Sequence, residues 1–168
     1  GGTSPAVHSL AVFDEDGPGP GLPALFVGGG FNSAGGVSAF NIARWNGVIW
    51  SAVGPGLRLA SQPVRALAEF DNGSGPALYA AGDFVGDGNG VSIARFARWD
   101  GLAWTELGGG ISATGYALGV FDPDGQESAA LFAKLKTGAP LDGSDAAPAG
   151  EEVEVAPSSI SVRVLNGS

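Results

Sequence analysis

Cysteine and methionine are both missing from the 168 residues. Without cysteine, disulfides, thiol catalysis and thiolate metal sites are all excluded. Without methionine there is no initiator residue, so the chain reads as processed or truncated, with no signal peptide visible in it. Charge is scarce too: 15% of residues are charged, 17 acidic against 8 basic, for a net charge of −9. Nucleic acid and anionic membrane both require clustered cations, so neither is expected as a partner. No apolar run approaches the roughly 20 residues of a spanning helix, and membrane insertion is not expected. His8 is the only histidine, and no serine sits in a Gly-x-Ser-x-Gly elbow. A hydrolytic triad therefore has no candidates, no catalytic residue is assigned, and the chain is read as a non-enzyme.

Glycine is what the chain has in abundance, with 30 residues alongside 11 prolines and no collagen-like register. They punctuate short apolar runs as turn residues, and a hydrophobic content of 44% suffices for a core. The runs themselves repeat. Residues 41–57 read NIARWNGVIWSAVGPGL and residues 95–111 read RFARWDGLAWTELGGGI. Upstream, VHSLAVFD (7–14) answers VRALAEFD (64–71), and ALFVGGGF (24–31) answers ALYAAGDF (77–84). A third copy begins at YALGVFD (116–122) and reaches ALFA (130–133). Repeats of this length signal stacked supersecondary modules.

Each full copy resolves into four short stretches rich in β-branched and aromatic residues, bounded by Gly, Pro, Asn or Asp, as expected of strands. Asn46-Gly47 and Asp100-Gly101 each separate two such stretches and predict type I′ hairpins. Trp45 and Trp50, like Trp99 and Trp104, then face each other across a tight turn. With Phe13, Phe70 and Phe121 they are the expected repeated core, favoured over a sugar-stacking platform. Arg44 and Arg98 alternate to the opposite face and are expected to partner a carboxylate or carbonyl.

Four antiparallel strands per repeat predict an all-β fold of β-propeller-type blades: repeat 1 over 1–62, repeat 2 over 63–114 and a partial third over 115–133. The phrases SLAVFD and ALAEFD, ALYAAGDF, ARWNGVIW and the closing Gly-x-Gly resemble kelch-like or galactose-oxidase-like repeats of exported bacterial proteins. That resemblance covers about residues 6–133 and implies an extracellular or cell-envelope location. It does not carry over the oxidase's copper chemistry, which needs a cysteine-linked tyrosine and histidines. Propellers close with four to eight blades, so further blades or other copies of the chain are implied as partners, besides a protein or carbohydrate ligand.

Residues 134–159 are mostly Ala, Pro, Gly, Ser, Asp and Glu and predict a disordered, flexible linker, and ISVRVLNGS (160–168) alternates as a lone strand, the truncated start of another domain. ESAALFAKLKTGAPL (127–141) and SSISVRVLNGS (158–168) resemble the join before the C-terminal domain of LytR-CpsA-Psr cell-wall proteins. The alternative they imply is a fragment or fusion of such a glycopolymer transferase without its catalytic part. Over 127–135 helix and strand compete, and Lys134-Leu135-Lys136 in place of a glycine tips the reading to helix.

Acidic turns are the candidates for a metal. FDEDG (13–17) and FDPDG (121–125) place Asp14, Asp16, Asp122 and Asp124 as calcium oxygens, although the later carboxylate of a full calcium loop is missing. Asx turns are the alternative, and no other cofactor is expected. GGGFNSAGG (28–36) lacks the following helix or Lys-Ser/Thr of a phosphate loop. The sequons at Asn72 and Asn166 are explained as turns.

Overall fold

The computed structural model describes residues 6–58 and 62–121, together with the backbone of three further strands between 130 and 161. All the regular structure is β, and among the described residues there is no helix. The first repeat supplies β1 (Ala6–Phe13), β2 (Ala24–Gly30), the two-residue strands β3 (Ser33–Ala34) and β4 (Val37–Ser38), then β5 (Ile42–Trp45) and β6 (Trp50–Ala52). The second supplies β7 (Val64–Asp71), β8 (Pro76–Gly82), β9 (Phe96–Trp99) and β10 (Trp104–Glu106). A third set follows as β11 (Gly115–Phe121), β12 (Ala130–Leu135), β13 (Glu152–Ala156) and β14 (Ser159–Ser161).

They form three four-stranded antiparallel sheets in simple sequence order, β1-β2-β5-β6, β7-β8-β9-β10 and β11-β12-β13-β14, with β3-β4 a separate small hairpin. The described residues do not close them into a ring. The leading strand of each sheet carries a register shift at the same place, between Val7 and Ser9, Val64 and Ala66, and Gly115 and Ala117. An extra residue there breaks the two-residue alternation of side chains. As a result Val64 and Leu67, three apart, both join the cluster between the first two sheets.

The sheets stack through unlike faces. The front of the first, with Phe13, Ala24, Phe26 and Ile42, meets the back of the second, with Val64, Leu67, Leu78, Ala80, Trp99 and Trp104. The front of the second, with Ala66, Phe70, Tyr79 and Phe96, meets Leu118 on the back of the third. Leading strands line up, β1 beside β7 and β7 beside β11. Small residues permit the approach: a Cβ on Gly28 would lie 2.7 Å from Val64 Cγ1. At the equivalent place one sheet on, a Cβ on Gly115 would lie 2.6 Å from Ala81 Cβ. The glycine run that opens GGGFNSAGG is therefore mostly the end of β2, packed against its neighbour.

Two expectations for the C-terminal part are corrected. Residues 130–135 are a strand, not part of a helix, because β11 offers an edge that pairs from Phe121↔Ala130 to Gly115↔Leu135. Such pairing overrides a short periodic signal that fits either state. Glu152–Ala156, inside the stretch read as linker, pairs with β12, and Ser159–Ser161 pairs with it in turn rather than standing alone. The reason is legible in retrospect: Glu152-Val153-Glu154-Val155 alternates acidic and β-branched residues with period two. The third set of strands thus runs on to residue 161, past the expected boundary at 133. Asp122, Asp124, the Asn166 sequon and the rest of the expected linker lie outside the described residues, as does the side chain of Phe121.

Candidate functional site

Antiparallel alternation gathers four connections at one end of the first two sheets: 14–23, 46–49, 72–75 and 100–103. Each is shaped by its own polar side chain. Asn46 Oδ1 accepts from the N–H groups of Val48 (3.0 Å) and Ile49 (2.9 Å), and Asp100 Oδ1 accepts from Leu102 and Ala103, both at 2.9 Å. The predicted type I′ turns are corrected accordingly. That turn needs positive φ at both central residues, whereas here only Gly47 (φ 95°) and Gly101 (φ 94°) have it, within four-residue loops closing Trp45↔Trp50 and Trp99↔Trp104. A side-chain acceptor at the first position substitutes for the backbone turn.

The acidic turns work the same way. Asp16 Oδ2 accepts from Gly21 N–H at 2.9 Å, and Asp71 Oδ1 accepts from Gly73 and Gly75 at 2.8 and 3.0 Å. The bond from Gly21 N–H holds the Asp16 carboxyl below its ordinary value, while the hydrogen bond shared with Asp16 pushes Asp14 up. Asp100 is likewise held down by the N–H groups of Ala103 and Leu102. These oxygens turn backbone; among the described residues no three His, Asp or Glu side chains gather closely enough to hold a metal ion.

What the turns hold outward is apolar. Val48 and Leu102, at the same position of their turns, are 77% and 88% exposed, and Leu22 in the first connection is 80% exposed. The two sheets' turns are tied together at Glu15. Its Oε1 accepts from Trp99 Nε1 at 2.8 Å, and its Oε2 lies 2.5 Å from Arg44 Nη1. Arg44 thus has the expected carboxylate partner. Among the described residues Arg98 has no such ion pair, and the Nε atoms of both arginines and the Tyr79 hydroxyl are buried without a hydrogen-bond partner. Burial pushes the Tyr79 phenol up, with the Arg98 charge opposing.

The tryptophans divide by sheet. Trp99 and Trp104 are each 4% exposed, in the cluster between the sheets, and Trp104 Nε1 donates to Val53 O at 3.3 Å. Trp45 and Trp50 are half-buried on the back of the first sheet. Both pairs have the same geometry, with centroids 5.3 Å and 5.2 Å apart and tilts of 44° and 42°. Phe13 packs on Phe26 at 5.8 Å and Phe70 edge-on to Tyr79 at 5.8 Å, as core residues. His8 is exposed.

At the opposite end lies a pair that sequence reasoning did not find. Asn41 (φ 63°) and Arg95 (φ 64°) are the only non-glycine residues with positive φ among those described, and both immediately precede the repeated Ala-Arg-Trp strand. Asn41 Nδ2 donates to Leu57 O at 2.7 Å and Gln62 O at 3.0 Å, and Arg95 Nη1 donates to Ile111 O at 3.4 Å. Each anchors the chain as it leaves its sheet. Asn tolerates this backbone and hints at it, whereas Arg carries no such signal.

Compared with models of known protein families, with curated proteins and with solved structures, the chain matches none.

Proposed function

We propose that the chain is an exported, non-enzymatic repeat segment whose sheets are β-propeller blades and whose turn end binds protein or carbohydrate. The observation that carries the binding reading is the repeated exposed tip, Val48 and Leu102, presented by turns already fixed by Asn46 and Asp100. Preorganised apolar protrusions lose little entropy on binding. Aliphatic tips flanked by carboxylates fit a partner with apolar patches and donors, a description that suits a protein surface or the C–H face of a sugar.

The blade reading is supported by the sequence order of each sheet and by the alignment of β1, β7 and β11. Location outside the cell rests on the resemblance to exported repeats. The alternative of a LytR-CpsA-Psr-type fragment rests on residues 127–168, where the pairing of β12 with β13 favours continuation of the sheet architecture instead.

The test is to screen the chain against a glycan array and a displayed peptide library, then repeat with Val48→Asp and Leu102→Asp. The expected result is a ligand in one class whose affinity falls at least tenfold in both variants, with near-ultraviolet circular dichroism unchanged. A ligand bound equally well by both variants would place the site elsewhere, and no ligand in either class would remove the binding reading.

A further inference from the structure

Among the described residues the back of the first sheet is an apolar face with no sheet packed on it, and the repeat indicates what fits it. Its row across the strands runs Val12, Leu25, Trp45, Trp50, and the next runs Leu10, Val27, Ala43. Val7, Leu10 and Val12 are 58%, 60% and 60% exposed. The β3-β4 hairpin region covers only part of the face, through Phe31, Ala34 and Ala39 against Val27, Ala43 and Trp50. In the second sheet two of these three positions are closed, while Glu69, the counterpart of Val12, is exposed. Val64 and Leu67, the counterparts of Val7 and Leu10, are 0% and 8% exposed because the front of the first sheet lies on them. The contact is specific in register: Leu67 N–H donates to Ser9 Oγ at 2.8 Å. It is made twice within the chain, between the first and second sheets and between the second and third.

The backs of the second and third sheets, built from the same repeat, each receive the front of a like sheet, and the back of the first is the equivalent surface for a further front. Among the described residues, the front of the third sheet is one that nothing covers. On β11, Ala117 and Gly119 follow Ser9 and Ala11 of β1, and Ala66 and Ala68 of β7, in register; Ala117 is exposed and nothing lies within 4 Å of a Cβ placed on Gly119. We propose that a second copy of this chain lays the front of its third sheet on the back of the first sheet, head to tail, bringing Ala117 of one copy against Leu10 of the other. A head-to-tail contact either closes or propagates. Two copies of three sheets bring six together, within the range at which propellers close. The closed pair, though not the contact itself, rests on the blade reading. One register position differs in kind, Lys134 standing where β2 and β8 have Gly28 and Ala81; a symmetric contact between two first sheets is the arrangement it would favour instead.

Light scattering over a concentration series, on the whole chain and on Leu10→Lys, Ala117→Glu and their combination, separates these. Both substitutions fall on exposed residues, so the fold should survive, and circular dichroism in the near ultraviolet checks that it does. The expected result is twice the chain mass for the unaltered protein, a monomer for each single variant, and recovery of the pair in the combined variant, where the new charges are opposite. A monomer at every concentration overturns the contact. Loss of pairing in Leu10→Lys but not in Ala117→Glu overturns the head-to-tail arrangement. An open series of growing masses retains the contact and contradicts the closed pair, and with it the blade reading.

Discussion

The first and second sheets are built from nearly the same phrases and sit in different surroundings, so position in the stack, rather than sequence, decides how their side chains are used. Trp45 and Trp99 occupy one register position, next to the same kind of turn and at the same distance from a second tryptophan. Among the described residues only Trp99 has a sheet lying over it. The same holds for Leu10 against Leu67 and Val7 against Val64. In a stack of like modules each sheet depends on its neighbour to bury one face, so stability resides in the interfaces between sheets as much as within them.

Removing matched residues tests this directly. Trp99→Ala should destabilise the chain by about 3–5 kcal/mol, the range for deleting a buried aromatic. Trp45→Ala should cost only about 1–2 kcal/mol, since part of its surface is already in water. Urea unfolding of the two variants, at a concentration where the chain is monomeric, measures both, and equal losses would mean that the sheets do not differ in the way described.

The interface can also be strained without touching an aromatic. Gly28→Ala sets a methyl against Val64 and should cost about 1–3 kcal/mol through overpacking. Gly30→Ala is the control on the same strand, since its Cβ would meet only Pro63 at 3.6 Å, an ordinary contact. A denaturation midpoint that moves no further for Gly28→Ala than for this control would show that the close approach of the sheets is not needed.

A smaller difference runs in the other direction. The first sheet has Phe26 where the second has Tyr79, whose hydroxyl is buried without a partner. Tyr79→Phe should therefore stabilise the chain by about 1 kcal/mol, the gain from no longer desolvating an unpaired group. A loss of stability in thermal unfolding would mean that the hydroxyl is bonded after all.

The smallest effect concerns pH. Asn46 and Asp100 make the same turn, but only Asp100 titrates. Its folded value is depressed, so its contribution is present above about pH 4, the unfolded carboxylate range, and is lost as pH falls through the lower folded value. Asp100→Asn should make this turn as indifferent to acid as the first one, and Asn46→Asp should make the first acid-sensitive. Melting temperatures between pH 7 and pH 2 would show the slopes changing in opposite directions; unchanged slopes would separate the Asp100 carboxylate from the turn.

Much of the architecture was legible because it is written twice. The four strands of each full repeat, the Phe13 and Phe70 core, the partner for Arg44 and the placement of the turns all follow from apolar runs bounded by glycine, asparagine and aspartate. Covering of a face by another module was not legible, since identical phrases in two places carry no mark of which one has a neighbour. That is why all four tryptophans read as core although only two are enclosed. The third sheet was hidden for a different reason. Its outer strands come from a stretch whose composition reads as a linker, and only the alternation of Glu152-Val153-Glu154-Val155 betrays a strand. Of the turn end, the Asx residues were visible as turn formers. Their common placement at one end, and the exposure of Val48 and Leu102 there, emerge only once strand order is known.

The most direct test of the stacking is acrylamide quenching of tryptophan fluorescence at the lowest workable concentration, in two variants that each retain one pair. In Trp45→Phe/Trp50→Phe only the enclosed pair remains, and quenching should be weak. In Trp99→Phe/Trp104→Phe only the open-face pair remains, and quenching should be several times stronger. Equal quenching in the two variants would contradict the account, because the two tryptophan pairs would then have the same surroundings.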